Sequence, residues 1–263
     1  MPKYPESILR GAGLPPRLLD LPSPPATLFV RGELPRGASV SIVGTRHPSS
    51  AGRRYARTLA RELAQEGVAV LSGGALGIDG AAHRGALDAG GITVVVAPSG
   101  WERPSPKEHR LLFRRAVQAG GAHVSLVPAT APAIPAHYFP RNAVLAALAH
   151  VVVVVEAPFR SGARNTARTA RELGRPLFVC AAPPWHEAGH GCTLEVRLGA
   201  RPLLSTRDIL RHLVEQRAHP VPTGGARTPA TSQQLLLRAD FREATDNPSV
   251  SEPSPKEVGL ETV

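Results

Sequence analysis

Val151–Val155 is an unbroken run of five valines between His150 and Glu156. β-branched side chains are stiff and suit a pleated strand. No polar residue alternates with them, so both faces of such a strand must be covered. The run is also far too short to span a bilayer. It therefore demands a central strand in a sheet with layers on both sides. The preceding sequence supplies them in alternation: strands at Val40–Val43, Val68–Leu71 and Ile92–Ala97, helices at Tyr55–Gln65, Ala81–Ala89 and Lys107–Ala119. After the valines the same rhythm predicts a helix at Thr166–Leu173, a strand at Pro176–Ala181 and a closing helix at Thr206–Gln216. This is the βαβ pattern of a Rossmann-like α/β fold, an extended parallel sheet with helices on both faces.

The organisation expected is a single core domain at 39–216. Residues 1–38, rich in Pro and Gly, read as an irregular lead-in that packs on the core through Leu18–Leu19 and Leu28–Val30. Residues 217–263, dominated by Pro, Thr, Ser and charge, read as a disordered tail with a short helical turn at Gln233–Arg242. The formal charge is +10. It belongs to the folded part, since residues 1–215 hold 26 Lys/Arg against 15 Asp/Glu. Such an excess fits either a polyanionic partner or an ordinary Arg-rich solvated surface. Two cysteines, Cys180 and Cys192, without a His/Cys cluster at zinc spacing, suit a reducing cytoplasm and leave no disulfide scaffold or metal site. No charged-then-apolar leader opens the chain. A cytoplasmic protein with no membrane contact and no cofactor is expected.

In open α/β sheets ligands bind beyond the carboxyl ends of the strands, where helix N-termini offer free N–H groups to anions. Three segments fall there. Gly44, Thr45 and Arg46 end the first core strand and offer close backbone approach, a hydroxyl and a forked cation; an ordinary β–α turn with a surface Arg is the alternative. Ser72, Gly73, Gly74 and Gly77 form a second turn, followed by Asp79, placed to cap the next helix, and His83, which is either a ligand contact or a buried structural group. This turn is neither a dinucleotide fingerprint nor a P-loop. Ser161, Gly162 and Thr166 open the helix after the valine strand and suit an anion or simple N-capping by Asn165 or Thr166.

The same residues resemble the DNA-processing protein A (DprA/Smf) family. Ile42-Val43-Gly44-Thr45-Arg46 is similar to its Val-Gly-Ser-Arg element. Leu71–Asp79 with Ala82-His83 and Gly85-Ala86-Leu87 resembles its Ser-Gly-x-Ala-x-Gly-Ile-Asp…Ala-His-x-Gly-Ala-Leu stretch. Arg141-Asn142, Val154–Ala157, Ser161-Gly162, Thr166-Ala167 and Gly199-Ala200 follow in family order, and Leu28–Gly32 resembles the segment ahead of the domain. The resemblance covers Leu18 to Leu213. It implies a single-stranded DNA binder that hands its strand to a RecA-type recombinase in natural transformation, acts as a homodimer and is not an enzyme. Arg46, the glycine turn, Arg141 and Asn142 would contact phosphate, with Ser161, Gly162 and Thr166 lining the same pocket.

Several positions depart from the family. Ala143 stands where Arg-Asn-Arg has its second cation, and Ser105 replaces the Tyr of Tyr-Pro-x-x-Asn. Leu126 replaces the Glu of Ser-Glu, Gly191-Cys192-Thr193 the Gly-x-Asn, and Ala129–His137 carries no Lys. The accessory domains on either side of the core are expected to be lacking. A pocket of reduced affinity follows, and an aromatic content of 4% argues against an extended stacking platform. Two alternatives stand beside this reading. One is a nucleotide-binding sensor or phosphoribohydrolase of the same superfamily, although Arg160–Arg168 lacks the Pro-Gly-Gly and the Glu that such enzymes use. The other is a partner-binding protein that kept the fold and lost the pocket.

Overall fold

The computed structural model describes residues 4–182 and 186–218. The expected tail and its helical turn lie outside these residues, apart from the end of the last helix. In chain order the elements are β1 (Glu6–Leu9), β2 (Leu28–Gly32), β3 (Ser39–Val43), α1 (Ser50–Gln65), β4 (Ala69–Ser72), α2 (Ile78–Asp88), β5 (Thr93–Ala97) and α3 (Arg110–Gln118). Then come β6 (Ala122–Ser125), α4 (Tyr138–Leu148), β7 (Val151–Val154), α5 (Gly162–Glu172), β8 (Leu177–Val179), α6 (His190–Arg197), β9 (Arg201–Pro202) and α7 (Thr206–Ala218). The strands join in one sheet of order β1-β2-β6-β5-β4-β3-β7-β8-β9. Pairing is parallel from β6 through β9 and antiparallel at β1–β2 and β2–β6.

The valine run occupies the place its chemistry requires. β7 lies between β3 and β8 and is buried along its whole length. Its residues alternate between layers: Val151 and Val153 pack with α1, α2 and α7, while Val152 and Val154 pack with α4 and α5. Strand periodicity sends successive side chains to opposite faces. An apolar residue at every position is thus what a doubly covered strand needs.

The lead-in is more regular than expected. β1 and β2 add two antiparallel strands to one edge, with Phe29 opposite Ser125 and Arg31 opposite His123. Between them Leu14, Leu18 and Leu21 are buried in the layer that holds α4. Pro and Gly mask this segment in the sequence, yet its apolar residues recur at the spacing of short 3-10 turns. The sheet is consequently mixed rather than wholly parallel.

Side chains in the two covered layers should dominate stability. Leu63→Ala, on the buried face of α1, is expected to cost about 2–5 kcal/mol by loss of transfer energy and residual cavity. Leu111→Ala, at a position 68% exposed, should stay within about 0.5 kcal/mol. Urea unfolding of the two variants checks the contrast.

Candidate functional site

β4, β3 and β7 are neighbours paired in parallel, so their carboxyl ends and the loops that follow come together at one edge. There a cavity of about 340 Å³ opens, walled by Gly44, Thr45 and Arg46 after β3, Asp79 on α2, Tyr138, Phe139, Arg141 and Asn142 on α4, and Pro158, Arg160, Ser161, Gly162 and Ala163 before and within α5. Ser161 caps α5, its hydroxyl accepting from the Ala163 N–H at 3.3 Å. α5 therefore begins earlier than Thr166, and its first turn forms one wall with the positive end of its dipole.

Arg141 is the unusual group. It is 5% exposed, and its Nε–H has no hydrogen-bond partner among the described residues. Burial pushes its pKa down, and the nearby Asp79 carboxylate partly offsets this. Gly73 makes the placement possible. A Cβ there would lie 1.6 Å from an Arg141 Nη and 2.8 Å from an Asp79 Oδ. Asp79 is itself buried, which pushes its pKa up to about 6 against the opposing pull of Arg141 and of hydrogen bonds from the Ala75 and Gly44 backbone. Arg46 reaches the same place from β3. Its guanidinium lies 5.4 Å from the Tyr138 ring centre, and that of Arg141 lies 5.8 Å from it. Two cations thus flank one aromatic ring at a cavity mouth, with one carboxylate that ionises only in part near pH 6.

Of the candidates singled out in the sequence, nine line this cavity: Gly44, Thr45, Arg46, Asp79, Arg141, Asn142, Ser161, Gly162 and Thr166. The other five do not. Ser72 is fully buried and donates to the Ile42 carbonyl at 2.6 Å, tying β4 to β3. Gly73 acts by leaving room for Arg141. Gly74 packs against Phe113. Gly77 adopts φ +80°, and a Cβ there would lie 2.4 Å from the Thr45 carbonyl oxygen, so it sets the approach of the two loops. His83 is fully buried with Nδ1 2.7 Å from Thr93 Oγ1, and burial holds its pKa at about 3. It is a neutral core group away from the cavity. Asp79 does not cap α2 either; Gly77 occupies that position, and Asp79 in the first turn accepts from the Ala75 N–H. Asn142 donates to the Gly162 carbonyl at 3.3 Å and so fixes α4 against the start of α5. Glu156 is occupied elsewhere, accepting from the Ser49 N–H at 2.8 Å and hydroxyl at 2.5 Å, with His186 Nε2 at 3.1 Å.

Tyr138, Phe139 and Arg160 also line the cavity and were not singled out in the sequence. The signal was present: Tyr138 precedes Arg141 by three residues, one helical turn, and Arg160 adjoins Ser161. Pro140 hides α4, although proline is tolerated in a first turn. The departures from the family pattern fall mostly outside this cavity. Ala143 packs against the core layer, Leu126 lines a neighbouring cavity of about 190 Å³, and Ser105 lies in the loop before α3.

The fold and site define an α/β protein of the Rossmann-like class whose strand ends present a basic, ring-flanked cavity suited to an anion. The sequence profile described as DNA recombination-mediator protein A matches residues 6–214, and the chain belongs to that family. It is 45% identical over 176 residues to a Mycobacterium tuberculosis protein designated DNA processing protein DprA, covering 67% of this chain and 44% of that one. Protein Smf of Escherichia coli is 36% identical over 201 residues, 76% and 54% of the respective chains. The chain thus spans about half the length of these curated relatives. Among solved structures, DNA processing protein A of Helicobacter pylori, described for its single-stranded DNA binding mode, superposes with a TM-score of 0.72 at 28% identity, covering 81% of this chain and 98% of that one. DprA of Streptococcus pneumoniae gives 0.72 at 29% identity, covering 80% and 74%.

The packing around Arg141 gives two expectations. Gly73→Ala should cost about 1–3 kcal/mol by overpacking against the guanidinium. Gly162→Ala, whose Cβ would meet nothing within 4 Å, should change stability by less than about 0.5 kcal/mol. Denaturant midpoints compare them. The buried His83 and His123, held near 3 and 4 by burial, stay neutral in the folded state while the unfolded chain takes up protons. Their contribution is intact above the ordinary histidine value near 6.5 and is lost as pH falls toward 4, at about 1.4 kcal/mol per pH unit each. His83→Gln should flatten the acid side of a stability–pH profile.

Proposed function

We propose that this cavity holds backbone phosphate of single-stranded DNA and that the chain is a non-enzymatic strand-binding protein. The observation that carries the reading is Arg141, a cation buried at the cavity wall with an unsatisfied Nε–H and, beside it, a carboxylate whose charge is lost as pH falls through about 6. Burying such a group is costly without an anion and a hydrogen-bond acceptor, and a phosphate oxygen supplies both. Arg46 and the α5 N-terminus add charge from two sides. Phe139, 65% exposed on the cavity rim, and Phe159, 52% exposed and 5.2 Å from the Arg164 guanidinium, offer faces on which bases stack without regard to sequence. Contacts of this kind read phosphate and ring faces, not base edges.

The family description as a recombination mediator and the strand-binding description of the H. pylori protein support the same reading. Hand-over of the strand to a RecA-type recombinase, during natural transformation, and action as a homodimer belong to this proposal. A cytoplasmic setting belongs to it as well. Both cysteines are free, and no helix among the described residues is long and apolar enough to cross a membrane. Among the residues lining the cavity the only carboxylate is Asp79, which fits binding better than paired acid–base chemistry.

Fluorescence anisotropy with a labelled oligothymidylate tests the reading. Binding should weaken steeply with salt, and Arg46→Ala should reduce affinity roughly tenfold and the salt slope by about 0.7. No binding at low salt refutes it. Phosphate beside Asp79 favours its protonated form, so binding takes up a proton. Affinity should therefore rise several-fold as pH falls from 8 toward 6, and Asp79→Asn should bind more tightly at pH 8 with little pH dependence. A flat profile for the unsubstituted chain contradicts the placement of phosphate next to Asp79.

A further inference from the structure

A second cavity, of about 970 Å³, lies beside α3 and shares no lining residue with the first. Its floor comes from the antiparallel edge. Arg31 on β2 and His123 on β6 are cross-strand partners and project to the same face. One wall is the face of α3 that carries Arg110, Phe113, Arg114 and Val117, spaced as one side of a helix. The other wall is the loop after β5, which contributes Trp101, Arg103 and Lys107. That loop is braced by the loop after β6, with the Gly100 N–H donating to the Ala131 carbonyl and the Glu102 N–H to that of Ala129.

Five cations, Arg31, Arg103, Lys107, Arg110 and Arg114, line this groove against one carboxylate, Glu102. Arg31 is 3.5 Å from Glu6; the other four form no ion pair with a described residue. Trp101, half-buried among them, stands edge-on to His123 with ring centres 6.2 Å apart. Exposed cations grouped without partners repel one another, so the arrangement favours a polyanion. A tryptophan set among arginines favours one with planar groups. An acidic peptide would use the cations and give the indole no role.

We propose that this groove is a second contact for the same single-stranded DNA, with a base stacked on Trp101 and phosphates on Arg110 and Arg114. The inference rests on the reading of the Arg141 cavity as a strand-binding site. β6, at this groove, is three places from β3 in the sheet, a lateral offset of about 14 Å. A strand leaving the first cavity and passing the ends of β4 and β5 arrives here within a few nucleotides. The groove therefore sets how much strand each molecule occludes.

The test uses the full chain. Trp185→Phe leaves Trp101 as the sole tryptophan, and its fluorescence is followed against oligothymidylates of about 2 and about 20 nucleotides, the shorter too short to reach this groove from the first cavity. Both should bind in an Arg46-dependent manner, with the long one alone quenching Trp101 strongly. In that background Arg110→Ala with Arg114→Ala, both at exposed helical positions, should abolish the quench, weaken the long oligonucleotide roughly tenfold and lower its salt slope by about 1.4. The short one should be unaffected, and circular dichroism should show the fold intact. Arg46-dependent binding of the long strand with no quench and no effect of the double substitution overturns this inference alone. Absence of binding by either oligonucleotide overturns both this and the reading it rests on. Equal quenching by thymidine monophosphate or polyglutamate, at matched charge concentration, overturns it in favour of a mononucleotide or a general polyanion site.

Discussion

Arg141 enters the protein interior one turn into α4 and rests against the bare Cα of Gly73, with Asp79 beside it and Tyr138 beneath. A guanidinium cannot lose its proton in this setting, so burial must be met by partners. Asp79 meets it only in part: the Arg141 Nε–H keeps no acceptor, and burial raises the Asp79 pKa to about 6, so its charge fades below neutral pH. The remainder faces the cavity. Much of the surrounding sequence follows from accommodating this one cation: a glycine where any side chain would collide, a carboxylate at the start of α2, and a second arginine held across the same ring.

The scaffold makes that arrangement rigid. β3, β4 and β7 pair in parallel at the middle of the sheet, so the loops that follow them converge whatever their individual sequences. Asn142 links α4 to the start of α5, and Glu156 clamps the start of α1 through Ser49. Glu156 sits where a catalytic carboxylate would be sought, and its oxygens are committed to this clamp. The clamp and the cavity thus draw on different acidic residues.

How legible this was in the sequence depended on whether local pattern or tertiary placement decided the outcome. The valine run and the strand–helix rhythm gave the central sheet, because periodicity and burial act over a few residues. β1, β2 and β6 are obscure in the sequence, since strands this short are specified by pairing with distant partners rather than by their own composition. α4 was missed for a related reason: Pro140 lies in its first turn, so the segment carrying Tyr138, Phe139 and Arg141 did not read as a helix. His83 could be weighed only as contact or core, and burial decided it as core. Ala143 reads in sequence as a lost cation, whereas its side chain faces the core layer. The low aromatic content says nothing of where the few rings fall: Tyr138 and Phe139 line this cavity, and Phe159 lies between Pro158 and Arg160, which also line it.

The claim that Arg141 grips a backbone phosphate is open to a direct double-mutant cycle. One arm replaces Arg141 with Met, which keeps bulk without charge. The other replaces phosphates of a bound oligothymidylate, one at a time, with uncharged methylphosphonate. The account predicts that at one position the two changes are strongly non-additive, with a coupling energy of about 1.5 kcal/mol or more. Additive losses at every position would contradict it.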